Sequence, residues 1–81
     1  MITEGSHAAP IFAALGDPTR LGIVSRLSES GPLSTMHLTA ATVMSRQAVT
    51  KHLQALEQAG IVQSRRAGRD RVWGLQAARF Q

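Results

Sequence analysis

The sequence predicts a mainly α domain that ends in a small β-hairpin, and three observations carry this expectation. Helix-start residues at Asp17-Pro18 and at Ser45 precede apolar segments with helical spacing. Gly60 follows the second of these segments, and two β-compatible runs follow Gly60. The chain has 81 residues, which is enough for one domain and no more.

The first two helices are placed by their boundaries. The apolar stretch at 8–15 predicts a first helix, α1, which Gly16 closes. A second helix, α2, runs from Pro18 to about Glu29, because Asp17 can cap its free amides and Pro18 lacks only an N–H that would be unpaired there. Its apolar side is formed by Leu21, Ile23, Val24 and Leu27.

Two further helices follow the Ser30-Gly31-Pro32 break. A shorter apolar pattern that begins at Leu33 and ends near Met44 predicts the third helix, α3. Ser45 caps the fourth helix, α4, which ends at Gly60. Its core side is marked at i, i+4 and i+7 by Val49, Leu53 and Leu56.

The remaining residues predict two strands at 61–66 and 71–75, joined by a four-residue link, Ala67-Gly68-Arg69-Asp70. The predicted order is therefore α1-α2-α3-α4-β-β. Alternation along the second strand places Trp73 and Leu75 on one face, and we expect that pair to close the core.

Positive charge is concentrated in the second half of the chain. Residues 1–44 hold two basic and three acidic side chains, a net charge of −1. Residues 45–81 hold seven basic and two acidic side chains, a net charge of +5. A polycationic half is expected of a surface that faces phosphates, although a solubilising surface would have the same charge.

Other classes of function find little support in the composition. The chain has no Cys, no long apolar run and no signal peptide, so we expect a soluble cytoplasmic protein that does not enter the membrane. His7, His37 and His52 are far apart and lack nearby carboxylates, so we expect no metal site and no cofactor, and we expect His52 to bond a carbonyl. The sequence contains no acid pair, no nucleophile elbow and no phosphate-binding glycine loop, so we expect that the protein is not an enzyme.

The outward face of α4 carries groups that read DNA bases. At about 100° per residue, this face has amides, a hydroxyl and a cation, and it has no carboxylate before Glu57. Gln pairs with adenine, and Thr can bond a base or touch a thymine methyl. A solvated helix face would normally mix Glu with Lys. The reading face consists of Gln47, Thr50, Lys51 and Gln54.

Basic side chains at both ends of this region are expected to hold phosphates. Ser45 and Arg46 lie at the start of α4, where side chains and free amides can both meet a phosphate. Around the hairpin tip, four cations opposed by Asp70 alone would repel one another without an anionic partner, so we expect them to grip the minor groove and backbone. These wing arginines are Arg65, Arg66, Arg69 and Arg71.

Two alternatives remain open at this point. A protein-interaction module is one, although the outward face of α4 lacks the aromatic anchors of an interface hot spot. Structured-RNA binding is the other, although stacking aromatics are missing from the basic surface.

The sequence resembles the ArsR/SmtB family of winged helix-turn-helix transcriptional regulators. DPTRL at 17–21 resembles the family's second-helix motif, and SRQAVTKHLQALEQAGIV at 45–62 resembles its recognition helix running into the wing. Gly68-Arg69 and Trp73-Gly74-Leu75 stand where the family has its wing tip and returning strand. The resemblance implies a homodimeric repressor bound to a palindromic operator in double-stranded DNA, with Arg46, Gln47, Thr50, Lys51 and the wing arginines on the DNA.

The sequence also departs from the family pattern at several positions. Val43 stands where relatives commonly have a turn glycine, so we expect a strained turn, and Thr39 replaces a small Ala. Ser34 and Met36 occupy the family's thiolate sensor positions, so we expect a regulator that does not sense metal.

We expect the chain to divide into three parts. They are a disordered tail at 1–7, the domain at 8–76 and the start of a truncated C-terminal helix at 77–81. That helix completes the dimer interface in relatives, so we expect weak dimerisation here. The expected contacts are Ile11, Phe12 and Leu15.

Overall fold

The computed structural model describes residues 11–76, and within them the predicted mainly α architecture with a β-hairpin is confirmed. The tail at 1–7 and the segment at 77–81 lie outside the described residues. The helical elements are α1 at 11–15, α2 Pro18–Ser30, α3 Thr35–Ala40 and α4 Arg46–Gln58. The strands are β1 Leu33–Ser34, β2 Val62–Ala67 and β3 Asp70–Leu75.

The sheet has three antiparallel strands in the order β1-β3-β2, so the prediction of a helix from Leu33 is wrong at its start. Leu33 pairs with Trp73, and Ser34 pairs with Val72. Two extended residues are too few to show alternation in a sequence, and their pairing depends on a strand nearly 40 residues later. Ser34 ends the strand and caps α3 by accepting a hydrogen bond from the amide of His37 at 3.0 Å.

The predicted caps of the two long helices are confirmed. The carboxylate of Asp17 accepts from the amides of Thr19 and Arg20 at 2.8 and 3.3 Å. The hydroxyl of Ser45 accepts from the amide of Ala48 at 3.1 Å. Each cap satisfies amides that have no partner inside the helix, and so fixes where the helix begins.

The hairpin is tighter than the sequence predicted, because Ala67 pairs with Asp70 and only two residues form the turn. Gly68 has a φ of 63°, the left-handed conformation that glycine adopts without strain. Two-residue turns of this kind match the twist of the flanking strands. The wing comprises residues 62–75. It is a paired ribbon except for the two turn residues at its tip, Gly68 and Arg69.

The core lies between the helices and one face of the sheet, with Trp73 buried as predicted. The indole N–H of Trp73 donates to the hydroxyl of Thr35 at 2.8 Å, so the two buried polar groups satisfy each other. Leu21 departs from the prediction, since its side chain is 52% exposed. The core side chains of the long helices are Ile23, Leu27, Val49, Leu53 and Leu56.

The helix-turn-helix turn is not strained, so that expectation was wrong. Val43 has a negative φ, as do all other non-glycine residues between 11 and 76, and its side chain is fully exposed. The residues at 41–44 spread the bend over several ordinary conformations, so no left-handed residue is required. Thr39 is accommodated because its hydroxyl donates to the carbonyl of Thr35 at 2.8 Å.

Candidate nucleic-acid interface

The reading face of α4 is available to a ligand. Gln47, Lys51 and Gln54 are exposed and Thr50 is half-buried, while the opposite side of the helix is fully packed in the core. Within the described residues, none of these four side chains makes a hydrogen bond or an ion pair to the protein. Their donors and acceptors can therefore bond to base edges without first breaking a contact inside the domain.

At the start of α4, unlike on the reading face, the side chains of Ser45 and Arg46 bond to other groups of the protein. The hydroxyl of Ser45 accepts the cap hydrogen bond from the amide of Ala48, so its own O–H can still donate to a phosphate. The guanidinium of Arg46 forms an ion pair with Asp70, with 2.9 Å between Nη2 and Oδ1. The Arg46 side chain is still 54% exposed, so its remaining N–H groups can reach a phosphate while the ion pair persists.

Asp70 joins three elements through one carboxylate. Oδ1 accepts from the guanidinium of Arg46 at 2.9 Å and from the amide of Arg71 at 2.7 Å. Oδ2 accepts from the amide of Met36, in the first turn of α3, at 3.0 Å. The sequence indicates Asp70 only as the acid that opposes the wing arginines. Nothing local in the chain indicates a contact with Met36, which is 34 positions away.

These contacts favour the charged form of Asp70. Partial burial alone would raise its pKa, since a carboxylate loses hydration there. The hydrogen bonds from the amides of Arg71 and Met36 and the nearby charge of Arg46 outweigh that loss. The pKa of Asp70 is therefore held below its usual value of 3.8.

The strand register separates the wing arginines. Arg66 lies directly opposite Arg71, so these two share one face of the ribbon. Arg65 lies opposite Val72 and points to the other face, while Arg69 lies in the turn. Two like charges directly across a ribbon destabilise it, and an anion between them would relieve that repulsion.

A second set of polar contacts links the wing to the end of α4. The Nε of Arg71 donates to the hydroxyl of Ser64 at 3.1 Å. That hydroxyl donates to a carboxylate oxygen of Glu57 at 2.8 Å. Arg71 is thus held on the helix side of the wing, whereas Arg65, Arg66 and Arg69 have no recorded side-chain partner among residues 11–76.

His52 has a different partner from the expected carbonyl. Its Nδ1 accepts from the Nε of Arg20 at 3.2 Å, which links α2 to the flank of α4. The bond requires the tautomer with the proton on Nε2, since Nδ1 is the acceptor. Arg20 is 32 positions away, so this pairing had no local signal in the sequence.

No three His, Asp or Glu side chains among residues 11–76 come together in a way that could hold a metal ion. No helix in the same range is both long enough and apolar enough to cross a membrane.

Comparison with known proteins decides the family. Residues 17–64 match the family model described as bacterial regulatory protein, arsR family. This chain belongs to the ArsR family. The matched range begins at the cap of α2 and ends within the wing, so it contains all of the reading face.

Curated relatives and solved structures agree with this assignment. The chain is 46% identical over 68 residues to an uncharacterized HTH-type transcriptional regulator of Bacillus subtilis, covering 76% of this chain and 74% of the relative. It is 39% identical over 59 residues to the arsenical resistance operon repressor of Escherichia coli, covering 73% of this chain and 50% of that repressor.

An ArsR-like transcriptional regulator from Rhodococcus superposes with a TM-score of 0.82 at 35% identity, over 96% of this chain and 73% of the other. The homodimeric winged helix-turn-helix DNA-binding domain of a possible ArsR-family regulator from Mycobacterium bovis gives 0.86 at 27% identity, over 98% and 75%. This ArsR-family chain is therefore a transcriptional regulator with a winged helix-turn-helix DNA-binding domain.

Proposed function

We propose that this protein is a repressor that binds a palindromic operator as a homodimer, with the reading face of α4 in the major groove. The observation that carries the proposal is the state of that face: Gln47, Lys51 and Gln54 are exposed and make no hydrogen bond or ion pair within the described part of the protein. Side chains that are not bonded to the protein can form bidentate contacts with base edges, which is how sequence is read in the major groove.

The basic side chains around this face supply the contacts that do not depend on sequence. Arg46 lies at the start of α4 and reaches the phosphates beside the groove. The wing arginines lie along a ribbon that would follow the DNA backbone and the adjacent minor groove. Arg65 on one face and the Arg66–Arg71 pair on the other would contact different phosphates.

The homodimer is proposed from one exposed side chain and from the relatives. Phe12 on α1 is 72% exposed, whereas its neighbours Ile11 and Leu15 pack against the core of their own domain. An exposed Phe on a short helix is a suitable centre for contact with a second copy. The Mycobacterium bovis domain is described as homodimeric, and the Escherichia coli relative is named as a repressor.

The test is selection of bound duplexes from a random pool with the full chain. We expect enrichment of an inverted repeat whose half-sites lie about one helical turn apart, 10–10.5 bp between centres. A single unrepeated half-site would contradict the homodimer, and no enrichment would contradict sequence-specific binding. Placing the selected site over a promoter should then lower transcription when the protein is added, and a rise would contradict repression.

A further inference from the structure

The outer half of the wing is held to the helices by few contacts. The core anchors the base of the ribbon through Val62 and Trp73. Farther along, Arg65, Arg66 and Arg69 have no recorded side-chain partner within the described residues. The position of this half relative to α4 therefore depends on polar contacts, and Asp70, the first residue after the turn, makes those nearest the tip.

We propose that Asp70 is a positioning residue for operator recognition: it holds the wing and Arg46 in fixed places beside the reading face. Through one carboxylate, the wing is tied to the first turn of α3 at Met36 and to the first turn of α4 at Arg46. With both ties in place, the wing and the reading face meet a single DNA site in one geometry. This inference rests on the proposed sequence-specific function.

The charge of Asp70 makes the idea testable, because a carboxylate on a DNA-facing surface repels phosphates whatever the sequence. The side chain of Asp70 is 18% exposed, and its carboxylate bonds to one nitrogen of the Arg46 guanidinium, Nη2. If Asp70 acted only as a negative charge, its removal would strengthen binding to every duplex. If Asp70 acts by positioning, its removal weakens binding to the operator and leaves random DNA bound as well as before, or better.

Two substitutions separate charge from position. Asp70→Asn keeps the size but loses the charge, and its NH2 group would face a donor, either the guanidinium of Arg46 or the amide of Met36. Asp70→Glu keeps the charge but adds a methylene, so the carboxylate can no longer meet all of its present donors in the same geometry. A matched control is Glu29→Gln, which removes an exposed charge on the last turn of α2 that forms no ion pair with any residue between 11 and 76.

The experiment measures dissociation constants of the full chain for a duplex it selects and for a random duplex of equal length. For Asp70→Asn and Asp70→Glu we expect the ratio of the two constants to fall about tenfold, the usual consequence of losing one charge-assisted contact. For Asp70→Asn, the affinity for random DNA should stay level or rise. Glu29→Gln should leave the ratio within about twofold of the unmodified protein, as expected of an exposed surface change.

A second measurement reports on the contact without DNA. Hydrogen exchange at the amide of Met36, whose acceptor is Oδ2 of Asp70, should be faster in Asp70→Ala, which offers no acceptor, than in the unmodified protein. This confirms that the tie is broken in a chain that still folds. If Asp70→Asn proves unfolded, Asp70→Glu carries the test alone.

Several outcomes would overturn the inference. Equal strengthening on both duplexes with Asp70→Asn, together with an unchanged ratio in Asp70→Glu, would show that Asp70 is only a repulsive charge. An unchanged ratio in both variants, with normal discrimination by the unmodified protein, would overturn this inference but not the proposed function. An unmodified protein that cannot tell the two duplexes apart would overturn both.

Discussion

The reading face of α4 and the start of β3, at Asp70 and Arg71, are both polar, but their side chains have different partners. Gln47, Lys51 and Gln54 make no hydrogen bond or ion pair within the described residues. At the start of β3, Asp70 is bonded to Arg46, and Arg71 is bonded to Ser64. Polar side chains without a protein partner are suited to reading a sequence, whereas those already bonded are suited to setting the geometry in which it is read.

The same division is visible in the electrostatics. Arg65, Arg66 and Arg69, which have no side-chain partner within residues 11–76, can neutralise phosphates on any duplex, and they carry no information about sequence. The amides of the reading face carry no charge, so they contribute little to the dependence of binding on salt. Measurements that separate salt dependence from specificity can therefore test whether the two regions differ as proposed.

The largest effect we expect is that of salt. If a dimer neutralises about 6–10 phosphates, log K for the selected duplex should fall with log[salt] at a slope of about −5 to −9. Between 50 and 200 mM salt this is a loss of about 10³–10⁵ in affinity. Gln54→Ala is the control and should lower the affinity without changing the slope. A slope near zero would show that the basic surface does not contact the DNA backbone.

The next effect is on stability, and it compares two neighbouring residues on opposite sides of α4. Leu53 is fully buried, so Leu53→Ala should lower the free energy of unfolding by about 2–5 kcal/mol. Gln54 is exposed and has no hydrogen-bond partner among residues 11–76, so Gln54→Ala should change the free energy of unfolding by no more than about 0.5 kcal/mol. Urea denaturation followed by circular dichroism measures both. Similar losses for the two would mean that Gln54 is part of the fold and not of the reading face.

A somewhat smaller effect should distinguish the reading face from the wing. Gln47→Ala or Gln54→Ala should cost about 1–3 kcal/mol on the selected duplex and little on random DNA. Arg69→Ala should weaken both by similar factors and should reduce the salt slope by about one unit per lost phosphate contact. Fluorescence anisotropy titrations on the two duplexes give all of these values. Parallel losses for all three variants would mean that the reading face is misassigned.

Arg69 is a better probe of the wing than Arg71. The Nε of Arg71 is bonded to Ser64, which is bonded to Glu57, so removing Arg71 also disturbs the link between the wing and α4. Arg69 lies in the turn and has no recorded partner within residues 11–76. Its substitution therefore removes a cation without changing the geometry of the remaining contacts.

Local signals in the sequence were sufficient for the long helices and the reading face. Asp17 and Ser45 act within three residues of themselves, and the apolar spacing of Val49 and Leu53 depends only on the period of one helix. The orientation of Gln47 and Gln54 follows from the same period. These features could be predicted because each is decided by neighbours in the chain.

The features that sequence analysis missed depend on residues far apart in the chain. The strand at Leu33 exists because Trp73 lies beside it, and the partner of His52 is Arg20. The contacts of Asp70 with Met36 and Arg46 likewise join positions that no local pattern connects. Long-range pairing of this kind is decided by the packed fold and not by propensity.

The expectation of a strained turn at Val43 was wrong for a different reason, since it assumed a left-handed residue that the turn does not need. Substitution of Val43 should have the smallest effect of those we predict. The chain bends between α3 and α4 with a negative φ at Val43, and the side chain of this residue is fully exposed. Val43→Gly therefore relieves no strain, and the added freedom of the unfolded chain should lower the free energy of unfolding by about 0.5–1 kcal/mol. Urea denaturation measures the change, with Val43→Ala as a control that keeps the Cβ atom. The ratio of affinities for selected and random DNA should stay within about twofold, because Asp70 is bonded to Met36, Arg46 and Arg71 and not to Val43. A gain in stability with glycine would show that the turn is strained after all. A fall in the ratio at unchanged stability would instead mean that a stiff turn helps to orient α4. The position of the reading face would then be set by the backbone of the turn as well as by the contacts of Asp70.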